Sequence, residues 1–137
     1  MAYCTINDLY NYVDQSQITA MSDDLGTGNV NMSIINAICQ TASDKVDSLV
    51  SAIYQVPFAA PVPVKITQAS IIFAVELLWA RRLSVAEKNP AKPEADMLRQ
   101  ELMDINRGLL SLDYASKRAF TPIVVGSTFS RANTNIF

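Results

Sequence analysis

Apolar residues recur at helical spacing in four blocks along the chain, and loops rich in Gly, Pro, Asp and Asn separate the blocks. The clearest block is Ile35, Ile38, Cys39, Ala42, Val46, Leu49, Val50 and Ile53, whose spacing puts them on one face of a helix. Asn31 or Ser33 is its candidate cap and Tyr54 its end, while Asp44, Lys45 and Asp47 fall on the polar side. A stretch from about Val64 to Ala86 is apolar nearly all round, which predicts a central, buried helix opened by Pro63 in its first turn. Leu98, Leu102, Ile105 and Leu109 form a narrower stripe on a helix over about 94–110, the mark of a peripheral element. Near the start, Thr5 and Asp8 have cap spacing for a helix from Ile6 to Val13, and a shorter turn over 16–21 follows.

The connectors sharpen this outline. Gln55 to Pro63 holds three prolines, which predicts a stiff, extended link, and Phe58 and the valines favour its packing along the domain. Ser22 to Asn29 is a loop by composition. Its acids lack the oxygen ligands and the terminal Glu of a calcium-binding loop. The fold class expected is therefore all-α: a bundle of four principal helices over residues 1–113, followed by an extended C-terminal arm over 114–137.

The arm breaks the pattern. It has apolar residues but no helical period, and it carries Lys117, Arg118 and Arg131 with no acid on a chain of formal net charge −2. Aromatic and β-branched residues set it apart from a purely disordered tail, so we expect it to order against a surface. The candidate partner-contact residues are Tyr114, Lys117, Arg118, Phe120, Ile123, Val125, Phe129, Arg131 and Phe137. The plainer course for the arm is to fold back on its own bundle or to form a short hairpin around Gly126.

Composition narrows the chemistry. The 137 residues fit one domain and contain no histidine, which removes His-based acid–base catalysis and His-containing metal sites. Cys4 and Cys39 have no metal-ligand spacing and read as small apolar residues. Glu76 sits inside the apolar helix and needs a partner, either Arg81 or Arg82 or an arginine from another helix. No catalytic constellation, cofactor or metal is expected. The N-terminus shows no signal-peptide pattern, and the apolar run Ala69–Ala80 is too short to span a bilayer, so no membrane partner is expected.

Four sets of residues, in order, resemble a known family. They are Tyr3-Cys4-Thr5-Ile6-Asn7-Asp8-Leu9, then Ala42-Ser43-Asp44-Lys45-Val46-Asp47-Ser48-Leu49, then Tyr54-Gln55-Val56-Pro57-Phe58 with Pro61 and Val64-Lys65-Ile66, and last Arg107-Gly108-Leu109-Leu110-Ser111-Leu112-Asp113. This series resembles the small helical head–tail connector (adaptor) proteins of tailed bacteriophages, in the Mu-type branch. The resemblance implies a non-enzymatic virion protein, made in the host cytoplasm and placed in the neck. It further implies a homo-oligomeric ring, dodecameric by resemblance, between the portal protein and a tail stopper or completion protein. DNA would pass through the ring without specific binding, and the arm would engage the portal. The competing class is a small helical DNA-binding or packaging-associated module, supported by Arg81-Arg82 and Lys117-Arg118.

Overall fold

A computed structural model describes residues 2–82 and 88–112. Five helices follow in chain order: α1 (Ile6–Tyr10), α2 (Gln15–Ser22), α3 (Met32–Val50), α4 (Val64–Ala80) and α5 (Lys92–Asn106). The described residues contain no strand, and the fold is the all-α bundle expected.

Each helix begins where local chemistry favours it. The Asp8 carboxylate accepts from the Thr5 amide at 2.9 Å, completing one half of a capping box on α1. Asn31 is the cap of α3, its side-chain oxygen accepting from the Ile34 amide at 3.3 Å. Pro63 stands at the cap of α4, one position before the expected one. On α5 the helix starts two residues early, at Lys92, because Pro93 lies in a first turn where no amide hydrogen is needed.

The ends differ more. Val13 still donates to the Leu9 carbonyl at 3.0 Å, but in a turn after α1 has closed at Tyr10. In α3 the regular helix stops at Val50, and Ser51–Ile53 form a turn that delivers Tyr54 to the core. Helix α4, expected to run to about Ala86, closes at Ala80, where the Arg81 and Arg82 amides donate to the Leu78 and Trp79 carbonyls in a tighter turn; residues 83–87 lie outside the described residues. For α5 the stripe was expected to include Leu109. Leu98, Leu102 and Ile105 are buried as expected, but the helix ends at Asn106. Gly108 then takes φ +82, a left-handed turn that releases the chain and leaves Leu109 70% exposed.

Helix α4 is the centre. It packs against α1, α2, α3 and α5, and buries Ile66, Ala69, Ile71, Ile72, Phe73, Ala74, Val75 and Leu78. The connector after α3 brings Phe58 into the core, where its ring meets those of Tyr3 and Tyr54 at centroid distances of 6.1 and 5.9 Å. The Val56–Pro57 and Ala60–Pro61 peptides in this connector are cis.

Candidate functional site

Residues from three of the four sets that carried the sequence resemblance meet at one buried junction. Tyr3, from the N-terminal segment, donates its hydroxyl to Asp47 of α3 at 2.5 Å and accepts from the Phe58 amide at 2.9 Å. Its own amide donates to the Ser43 hydroxyl at 2.9 Å. Ser43 in turn donates to the Cys39 carbonyl at 2.8 Å and lies 3.0 Å from the Ser70 hydroxyl of α4. Three segments far apart in sequence are thus joined through polar groups that would be costly to bury alone. Burial, followed by the bond to Asp47, pushes the Tyr3 hydroxyl well above its ordinary range, so it remains a donor at any physiological pH. Burial also raises Asp47, with Asp44 adding to the effect and the Tyr3 bond opposing it. Close by, the Cys4 thiol is pushed up by its hydrogen bond to Cys39 and then by burial. What this junction does chemically is hold the chain's first residues, α3 and the proline connector in one register.

The charged side chains that the sequence singled out are used within the bundle. Glu76 pairs with Arg99 of α5, an arginine from another helix, and Arg99 also reaches Asp96 and lies over the Phe73 ring at 5.2 Å. Arg81 and Arg82 both bind Asp24, at 2.6 and 2.7 Å, and Arg81 also donates to the Met21 carbonyl. These bonds hold the Asp24 carboxyl below the usual carboxylate range, the Arg81 hydrogen bond contributing most. Asp23 folds the same loop by accepting from the Thr27 and Gly28 amides at 3.0 and 2.6 Å. Its oxygens serve the loop backbone. Among the described residues, no three Cys, Asp or Glu side chains converge as metal ligands would.

The nine candidate contact residues of the arm, Tyr114 to Phe137, lie outside the described residues. The arm's root is described. Leu112 is buried and its amide donates to the Tyr54 hydroxyl at 2.8 Å, while that hydroxyl lies 3.3 Å from the Leu112 carbonyl. The tyrosine therefore fastens Leu112, two residues before the arm, to the bundle. Beside this tie runs a groove of about 490 Å³, lined on one side by Pro61–Lys65 and on the other by Glu101, Ile105 and Leu110–Leu112. Val64 is 83% exposed there and Leu110 half exposed. Val62 and Val64 also belong to a second depression bordered by Tyr12 and Ile71, which extends the apolar surface along α4. Sequence reasoning missed this surface. The signal was the apolar run Leu109-Leu110 after a glycine, of which the stripe had claimed Leu109 for the helix face.

Among the described residues the protein is all-helical, its motif residues close an internal polar junction, and an open apolar surface lies beside Leu112. The chain belongs to the bacteriophage Mu Gp36 family, whose model matches residues 3–123. It is a phage structural or assembly protein. No curated protein matches it. Among the described residues, no helix is long and apolar enough to cross a membrane.

Proposed function

We propose that this protein is a head-to-tail connector: a subunit of a ring in the virion neck, between portal and tail, that forms part of the DNA channel and engages the portal through its arm. The observation that supports this reading most directly is the family match, which covers the whole bundle and the first part of the arm. The tie between Leu112 and Tyr54 adds to it, because the positive, aromatic-bearing segment of 24 residues follows in sequence a point fastened to the bundle core. Such a segment binds a neighbour through backbone hydrogen bonds and alternate side chains. Repetition around a ring multiplies weak contacts into a stable one. A closed ring also requires two different patches on each subunit.

Co-sedimentation with the portal ring of the same phage tests the proposal. Intact protein should bind, and a chain cut after Asp113, which keeps the Tyr54–Leu112 tie, should not. Equal binding by both moves the portal contact to the helices. Absence of binding by either, together with salt-sensitive DNA binding, favours the packaging-associated alternative. The bonds of Arg81 and Arg82 to Asp24 weigh against that outcome, since they occupy the arginines DNA would need.

A further inference from the structure

An apolar surface lies open among the described residues, and the sequence that follows it carries a second apolar segment. The first is the groove beside Leu112. Val64, the first residue of α4, is 83% exposed at its rim, and Leu110 is 50% exposed. Its charged lining, Lys65 and Glu101, is bonded internally at 2.8 Å, so the groove does not call for a charged ligand. The second is the arm's most apolar run, Phe120-Thr121-Pro122-Ile123-Val124-Val125.

We propose that the groove seats the Phe120–Val125 segment of the same chain, stowing the arm against the bundle until a partner takes it up. Reach is ample. The chain continues for 25 residues beyond Leu112, which itself lines the groove. Phe120 is eight residues further on, a span of up to about 27 Å when extended. The seven residues between them are more than the 2–5 that a tight reversal needs. Tethering then decides between occupants. A short linker gives an effective concentration on the order of millimolar, far above that of a second copy at micromolar protein. Charge agrees, since the arm carries three basic residues and no acid, whereas residues 1–113 carry thirteen acids against eight bases. Covering the groove also removes a contiguous apolar patch that would otherwise promote self-association. The inference concerns the free chain and holds whether or not the portal is the partner.

The test is an engineered cysteine pair in the full-length chain, Val64→Cys with Ile123→Cys, oxidised at low micromolar protein with diamide. The control pair is Leu25→Cys with Ile123→Cys. Leu25 is 86% exposed, and its loop is tied through Asp24 to Arg81 at the other end of α4, about 25 Å from Val64. The Val64 pair should close within one chain at least about tenfold faster than the control. Equal rates overturn the proposal, and so does a bond joining two chains, which would hand the groove to a neighbouring copy. A second variant guards against chance closure. Val64→Asp alters a residue that is nearly all solvent-facing, so the bundle should fold unchanged. Trypsin cleavage after Lys117 and Arg118 should then quicken several-fold over the wild-type chain. An unchanged rate overturns the stowed arm.

Discussion

The hydroxyl of Tyr3 donates to the carboxylate of Asp47 at 2.5 Å across 44 residues of sequence, and the same oxygen accepts from the Phe58 amide. One atom therefore closes the junction between the N-terminal segment, α3 and the proline connector. Tyr3→Phe keeps the ring and its edge contact with Phe58 but removes the hydroxyl's bonds to Asp47 and to the Phe58 amide. We expect a loss of about 2 kcal/mol in chemical denaturation with an unchanged slope. The double variant with Asp47→Ala, which removes the acceptor, should lose less than the two single losses added together, because both act on one bond. Full additivity would mean that the hydroxyl and carboxylate do not act as a pair.

Asp47 also sets a pH dependence whose sign follows from its surroundings. Burial raises its carboxyl above the value it has in the unfolded chain, and Asp44 reinforces the shift. The folded state thus holds a proton that the unfolded state has lost, over the span between those two values. Stability from this group falls as pH rises through that span. Asp47→Asn cannot titrate, yet its amide oxygen still accepts from Tyr3. The melting temperature of the variant relative to wild type should rise from acid toward neutral pH and level off above the raised value. A difference that declines with pH would reverse the assignment.

Glu76 and Arg99 pose the stability question more sharply, because the Glu76 side chain is only 13% exposed. Arg99→Ala strands that carboxylate and removes the cation over Phe73, at a cost of about 3 kcal/mol. Arg99→Lys should restore less than half, since an ammonium cannot fork between Glu76 and Asp96 as the guanidinium does. Adding Glu76→Gln to Arg99→Ala should recover part of the loss by removing the unpaired charge. Urea titration of the three variants checks the order. If Arg99→Ala alone proves neutral, the pair carries no net stability.

The pattern of apolar positions made the helices legible, because α3 and α5 each have one greasy face and α4 is greasy all round. It also showed that Glu76 needed a partner and that another helix could supply it. What it could not show was pairing across long separations. Tyr3, Asp47 and Phe58 stood out as motif residues, but nothing in their local spacing says that one hydroxyl joins them. Leu109 fell on the stripe of α5 at a step of four, and only the left-handed turn at Gly108 takes it out of the core. The groove was illegible for a related reason. It forms where Pro61–Lys65 and Leu110–Leu112 are brought side by side, and neither segment has a period that announces the other.

Tyr54 links this hidden surface to the arm. Its hydroxyl accepts the Leu112 amide at 2.8 Å, and its ring packs on Phe58, so Leu112 is fastened to the same aromatic cluster as the N-terminal junction. Tyr54→Phe keeps the ring and removes the fastening. The bundle should lose only about 1 kcal/mol, since the other core contacts remain. The local effect should be larger, because the amide and the carbonyl of Leu112 both bond to that one hydroxyl. Amide exchange at Leu112 should accelerate at least about fivefold while the α4 amides keep their protection. If exchange quickens equally throughout, the tyrosine supports the whole core. If Leu112 exchanges as slowly as before, burial of its side chain alone anchors the arm.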